Sequence, residues 1–210
     1  MKSPGRLIEG FRRFREQHFA EDDALYRQLA TDGQSPRILV VACCDARVDP
    51  AIVLDSAPGD LFVIRNVANL VPPAESRNSG RHGTSAALEF GVRNLGVEHI
   101  IVLGHAQCGG IRSLFSGSGG ETDSYISSWM RMAEEVHDEV LRDLPGATQQ
   151  QQQMACEKRA ILVSLGNLMT FPWVRERVEN GTLALHGWYF DIEHGEMQQY
   201  NPATQAFEAL

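Results

Sequence analysis

The chain has 210 residues and a formal net charge of -8, which argues against nucleic acid as its main partner because phosphate binding needs clustered Lys and Arg. The length suits one domain with a sizeable core, and 43% hydrophobic with 22% charged residues is typical of a soluble globular protein. The longest apolar run, residues 38–44, is too short to span a membrane. We recognise no signal or transit peptide and therefore expect a cytoplasmic protein with reduced cysteines.

Residues 1–31 are expected to form an N-terminal helical arm. Apolar and aromatic side chains recur there at helical spacing, which predicts an amphipathic helix, and a second short helix is expected over 22–30. The apolar face consists of Leu7, Ile8, Phe11, Phe14, His18 and Phe19.

Three runs rich in β-branched residues predict strands buried on both faces, as in a parallel sheet: RILVVACC (37–44), LFVI (61–64) and HIIVLG (99–104). A helix from a Thr84 cap to Gly96 separates the last two, and strand–helix–strand order implies a right-handed parallel crossover.

Further helices and two strands are predicted in the second half of the chain. The helices are expected over 123–142, from the glutamine run (149–153) onward, and from a Thr170 cap to Gly181. LALHGWYFDI (183–192) predicts a strand, and EHGE a turn into a final one. The sequence therefore predicts an α/β fold over 1–210, a single domain with a mainly parallel central sheet, flanking helices and the N-terminal arm.

Residues with metal-binding chemistry follow two of the predicted strands. CCDAR (43–47) ends the first strand and GHAQCGG (104–110) ends the third, so these residues meet if the two strands are neighbours. Thiolate and imidazole are preferred zinc ligands, and His105 and Cys108 are spaced to reach one ion. A tetrahedral zinc site with Cys43, His105 and Cys108 as ligands has a fourth coordination position, for water or for Asp45.

Strand alternation distinguishes the two adjacent cysteines. Successive side chains of an extended segment point to opposite sides, so Cys43, Asp45 and Arg47 share a side that excludes Cys44. Cys44 is then expected to point away and pack. The alternative is that these are ordinary buried residues, because a single Cys is often a small core residue and a single His a hydrogen-bonded one.

These residues resemble the β-class carbonic anhydrases. The signature C-x-D-S-R is present as CCDAR (43–47), and G-H-x-x-C-G-G as GHAQCGG (104–110). GDLFVIRNVANLVPP (59–73) and SLGNLMTFPWVRE (164–176) are also similar to the family, so the resemblance runs from about Gln34 to the last strand.

The resemblance implies zinc-dependent, reversible hydration of carbon dioxide to bicarbonate and a proton, and hence a carbonic anhydrase, a lyase. Cys43, His105 and Cys108 would hold one Zn²⁺ per chain. Asp45 and Arg47 would orient zinc-bound hydroxide, and Asp45 would become a fourth ligand in a possible closed state. The resemblance also implies a homodimer or dimer-based tetramer, with the arm packed on a partner subunit and the substrate pocket at the dimer interface. The pocket positions are Gln34, Phe62, Val67, Phe90 and Gly109.

Three departures from the family pattern are present. Ala46 replaces a Ser beside the Asp–Arg pair, and Phe90 stands where a Tyr is common. Bacterial members with an inhibitory bicarbonate pocket have a Trp, an Arg and a Tyr at the positions of Val40, Arg65 and Phe190. Only the Arg is retained, so we predict that this pocket is absent or weak.

Two other functions remain open from the sequence. Relatives that hydrolyse carbonyl sulfide or carbon disulfide look similar, and the loops that set specificity cannot be derived from the residues. A structural zinc or bicarbonate-binding module would use Asp45 as a permanent ligand, although it would have no need of Arg47. No proton shuttle is identifiable; His82 is a weak candidate and buffer the stronger one.

Overall fold

The computed structural model describes residues 4–19, 24–74, 82–115 and 124–210. The chain forms two compact units, Met1–Ser35 and Pro36–Leu210. The first contains α1 (Gly5–His18) and α2 (Ala24–Asp32). Aromatic rings of Phe14, His18, Phe19 and Tyr26 contact one another within this unit. The interpretation of 1–210 as one domain with an arm over 1–31 stays a prediction.

The second unit is built on a six-stranded sheet with the order β2-β1-β3-β4-β5-β6. The first four strands in this order are parallel, and the last two are added antiparallel. The bounds are β1 (Ile38–Cys43), β2 (Leu61–Asn66), β3 (His99–His105), β4 (Ala184–Asp191), β5 (Glu196–Asn201) and β6 (Ala206–Ala209). The mainly parallel sheet is thus confirmed, and β1 and β3 are neighbours, as a shared site at their ends requires.

The helices of this unit include one long segment that packs on the centre of the sheet. The bounds are α3 (Pro50–Val53), α4 (Gly83–Glu89), α5 (Gly109–Leu114), α6 (Tyr125–Met130), α7 (Glu134–Asp143), α8 (Gln149–Leu168) and α9 (Pro172–Glu179). A capping box between Thr148 and Gln151 starts α8, so the glutamine run forms its first turns. None of the described helices is long and apolar enough to cross a membrane.

Two predicted helix starts differ from the structure because the expected capping side chains bond elsewhere. α4 begins after His82 rather than at a Thr84 cap, because Thr84 Oγ1 accepts from Asn66 Nδ2 instead. Phe171, rather than Thr170, precedes α9, since Thr170 donates back to the carbonyl oxygen of Asn167.

Two further elements differ from the sequence prediction. The helix predicted over 123–142 is interrupted by a 3₁₀ turn, Arg131–Ala133, which separates α6 from α7. The short strand β6 was not predicted, because its four residues, mostly exposed, lack the apolar run by which the buried strands were recognised.

Candidate metal centre

The ends of two neighbouring parallel strands bring three ligand-type side chains together. Cys43 is the last residue of β1, His105 is the last of β3, and Cys108 immediately precedes α5. One ligand atom from each lies within 4.8 Å of the others, and all three residues are buried. The two sulfurs are 3.9 Å apart, and two sulfurs at about 2.3 Å from a tetrahedral zinc ion would lie about 3.8 Å apart.

The imidazole of His105 has one nitrogen available for a ligand. Its Nδ1 lies 2.8 Å from the carbonyl oxygen of Ala106, which can only accept, so Nδ1 carries the proton. Its Nε2 is buried and has no hydrogen-bond partner among the described residues. A buried unpartnered nitrogen beside two thiols fits a metal ligand, and the donor set fits zinc.

The two thiols differ in proton affinity because they share a hydrogen bond. The contact with Cys108 lowers the pKa of Cys43, and the same contact, together with burial, raises the pKa of Cys108. One thiolate is therefore stabilised in the metal-free chain, as a site that receives a cation requires.

Asp45 and Arg47 form a two-pronged ion pair beside this group. Asp45 Oδ1 accepts from Arg47 Nε at 3.0 Å and from the Arg47 backbone N–H at 2.9 Å. Its Oδ2 accepts from Arg47 Nη2 at 2.7 Å. These side-chain hydrogen bonds hold the pKa of Asp45 well below its ordinary value, against the opposing effect of burial. Asp45 is thus ionised and engaged with Arg47, and the three-residue ligand group does not include it.

The sequence profile of the carbonic anhydrase family matches residues 38–197. The chain belongs to the β-carbonic anhydrase family. It is 41% identical over 187 residues to β carbonic anhydrase 5, chloroplastic, of Arabidopsis thaliana. The aligned residues are 89% of this chain and 61% of that relative. The chain therefore spans less than two thirds of the length of that relative.

Solved β-carbonic anhydrases share this fold. The structure of the β-carbonic anhydrase CcaA superposes with a TM-score of 0.90 at 37% identity, over 98% of this chain and 91% of that one. One of two tetrameric β-carbonic anhydrases from Sordaria macrospora matches with a TM-score of 0.83 at 27% identity, over 93% and 95%. The resemblance of fold and family stated from the sequence is confirmed.

The residues at the pocket positions suggested by the family differ in their exposure and in their neighbours. The rings of Phe62 and Phe90 are 5.9 Å apart, and Phe90 is exposed. Val67 packs close to Gly110, where an added Cβ would lie 2.7 Å from its Cγ1, and Gly109 faces open space. Gln34 is exposed and belongs to the N-terminal unit. Their joint role as a substrate pocket stays a prediction.

Arg65 donates hydrogen bonds to the backbone beside Cys43 and the Asp45–Arg47 pair. Its Nε and Nη2 donate to the carbonyl oxygens of Cys43 and Asp45 at 3.0 and 2.7 Å, and its Nη1 donates to Asp49 at 2.7 Å. The sequence suggested only a link to an inhibitory pocket for this residue. Three protein acceptors thus engage the guanidinium, and the absence or weakness of the inhibitory pocket stays a prediction.

Cys44 lies outside the ligand group, as strand alternation predicts, but it is exposed rather than packed. Cys44 follows the last paired residue of β1, where its N–H still donates to the Asn66 carbonyl oxygen of β2 at 2.8 Å while its side chain is exposed.

Glu157 is a buried acid that the sequence reasoning missed. It lies on α8, is 4% exposed, and accepts the backbone N–H of Cys108 at 2.8 Å. One signal could have revealed it: Glu157 precedes Ile161 by four residues, so it falls on the apolar stripe of its helix.

Proposed function

We propose that this β-carbonic anhydrase family member catalyses the reversible hydration of carbon dioxide to bicarbonate and a proton. Cys43, His105 and Cys108 would hold one zinc ion per chain. The observation that carries the proposal is the buried Cys–His–Cys group beside an ionised Asp45–Arg47 pair. When bound, zinc lowers the pKa of a water ligand to about 7 and makes hydroxide available near neutral pH.

Asp45 is proposed to orient the attacking oxygen. An ionised carboxylate accepts the hydrogen of that oxygen and thereby directs a lone pair at the carbon of carbon dioxide, so that the new C–O bond yields bicarbonate. Arg47 keeps the carboxylate ionised and fixed, through a paired contact that Lys could not reproduce. The Asp45-ligated closed state requires this pair to separate.

The substrate would bind against apolar side chains suited to a nonpolar gas. Phe62, Val67 and Phe90 supply such surface, Gly109 leaves room, and Gln34 would donate an amide hydrogen bond to bicarbonate. We propose a homodimer or dimer-based tetramer, supported by the tetrameric relatives of the same fold and by exposed apolar residues on α1. A cytoplasmic location stays a prediction.

The test is stopped-flow hydration of carbon dioxide by the zinc-loaded protein across a range of pH. We expect activity that rises toward alkaline pH, and about 100-fold lower turnover for Asp45→Asn at unchanged zinc content. Asp55→Asn is the matched control, because Asp55 is exposed and has a positive φ of 47° that Asn tolerates.

Each result has a defined consequence. A zinc-loaded protein that is inactive even at alkaline pH would refute hydration and favour a structural or bicarbonate-binding module. Full turnover by Asp45→Asn would refute the proposed role of the pair. Turnover of carbonyl sulfide or carbon disulfide in preference to carbon dioxide would reassign the substrate.

A further inference from the structure

A single peptide group beside the metal ligands is hydrogen-bonded on both sides to charged side chains. The carbonyl oxygen of Gln107 accepts from Arg47 Nη2 at 3.0 Å. The N–H of Cys108, in the same peptide group, donates to Glu157 Oε1 at 2.8 Å. This peptide thus connects the Asp45–Arg47 pair to a buried acid on α8, and hydrogen bonds in such a chain polarise and strengthen one another.

The Glu157 carboxyl has three hydrogen-bond partners among the described residues. Gln153, one turn earlier on α8, donates its Nε2–H to Glu157 Oε1 at 2.8 Å, and Tyr189 donates its hydroxyl to Oε2 at 2.9 Å. The Cys108 N–H is the third partner, and of these three described groups only the Tyr189 hydroxyl could also accept a hydrogen bond.

The position of this acid is costly for folding alone. Glu157 is surrounded on α8 by buried residues such as Cys156, Ala160 and Ile161, and an apolar side chain would pack there without desolvating a charge. The carboxyl also lies one hydrogen bond from the backbone of Cys108, whose thiol becomes anionic when it binds metal. Such an arrangement is expected where the contact it makes is needed for something other than stability.

The contact acts on a strained turn. Gln107 has a left-handed φ of +57°, which a residue with a side chain adopts only when its surroundings hold it. This conformation lets the chain reverse between His105 and Cys108 and sends the Gln107 carbonyl toward Arg47. If the Cys108 N–H lost its acceptor, the peptide plane could rotate, and both the Cys108 sulfur and the Arg47 guanidinium would move.

We propose that Glu157 is a positioning residue for the hydration reaction. By accepting the Cys108 N–H, it fixes the peptide group between Gln107 and Cys108 and thereby the placement of the Asp45–Arg47 pair relative to the metal ligands. This inference rests on the proposed function.

Two substitutions separate the contact from the charge. Glu157→Gln removes the charge but can keep its oxygen toward Cys108 and Gln153, while its amide donates to a rotated Tyr189 hydroxyl. Glu157→Asp keeps the charge but draws the carboxylate back by one methylene and breaks the contact with Cys108. Tyr189→Phe is the control, because it removes a hydrogen bond on the far side of the same carboxylate.

We expect kcat of zinc-loaded Glu157→Asp to fall by about 10- to 100-fold with a smaller change in KM, the usual effect of losing a partner that orients a ligand. Glu157→Gln and Tyr189→Phe should stay within about threefold of the parent, because the loop contact persists. Hydrogen exchange at the Cys108 amide, followed by NMR in the zinc-loaded proteins, should be at least about tenfold faster only in Glu157→Asp.

The inference is overturned if Glu157→Asp matches the parent in kcat and amide exchange, or if Tyr189→Phe loses as much as Glu157→Asp. It is also overturned if Glu157→Gln is the more impaired of the two acid variants, since the charge would then matter rather than the contact. A parent without hydration activity would refute the proposed function instead. Amide exchange would still report whether Glu157 holds the loop.

Discussion

The adjacent residues Cys43 and Cys44 differ in burial and in their position relative to the candidate metal centre. Cys43 is 4% exposed and contributes its sulfur to the ligand group, whereas Cys44 is exposed and lies outside the group. One position along the chain therefore separates a candidate metal ligand from a surface thiol. Alternation along β1 produces this difference, and the end of the strand at Cys43 exposes the second sulfur.

This difference predicts opposite effects of one substitution at neighbouring positions. Cys43→Ser should weaken zinc binding by at least ~100-fold, because a hydroxyl does not replace a thiolate and even lost outer partners cost about 10- to 100-fold. Cys44→Ser should bind zinc as the parent does. Chelator competition measures both affinities, and equal affinities for the two variants would contradict the assignment.

The three residues of the Cys–His–Cys group could be selected from the sequence because two short motifs contain them, whereas the residues that support the group could not. Glu157 is 49 positions beyond Cys108 in the chain, and only the packing of α8 brings it to the loop. Arg65 follows the apolar run 61–64, which was expected to be buried on both faces, but β2 includes Arg65 and is a partly buried edge strand. Its bonds to the Cys43 and Asp45 carbonyl oxygens depend on the neighbouring position of β1 and β2.

At the scale of elements, α8 determines how the site is supported, because it carries Glu157 and crosses β3 and β4. Its close approach depends on glycines in the strands. A Cβ added to Gly104 would lie 2.7 Å from Ile161 Cδ1, and one added to Gly187 would lie 2.9 Å from Ile161 Cγ2. The periodicity of the sequence predicted the helix and the buried strands, but it could not show which glycines allow them to touch.

We expect Gly104→Ala to lower the free energy of unfolding by about 1–3 kcal/mol, the usual cost of overpacking a core. Ile161→Val in the same chain should recover part of the loss, because it removes the Cδ1 methyl that the new Cβ meets. Urea unfolding at one fixed protein concentration measures both changes.

Gly166→Ala is the matched control. Gly166 also lies on α8, but an added Cβ would meet nothing within 4 Å. Alanine is favoured over glycine within a helix by about 0.5–1 kcal/mol, so this variant should be as stable as the parent or more so. If Gly104→Ala were equally harmless, the helix would not be held against β3 by this contact.

At the scale of the whole molecule, the N-terminal unit carries apolar surface that its own helices do not bury. Leu7, Ile8 and Phe11 on α1 are 77%, 53% and 62% exposed. Apolar periodicity predicted this helix correctly, and none of its residues is buried. Large apolar side chains concentrated on one helix mark an interaction surface, which supports our proposal that α1 packs on a partner subunit.

A single charge placed on this face should therefore reduce the oligomeric state. We expect the parent to sediment as a dimer or tetramer, and Phe11→Lys to shift it toward smaller species, because burying an unpaired ammonium at an interface is unfavourable. Glu16→Gln is the charge-matched control. It also raises the net charge by one unit, by removing a negative charge, but it replaces an exposed charged residue of α1. Analytical ultracentrifugation at several concentrations compares the three proteins. A monomeric parent, or a Phe11→Lys variant that associates as the parent does, would show that this face has another purpose.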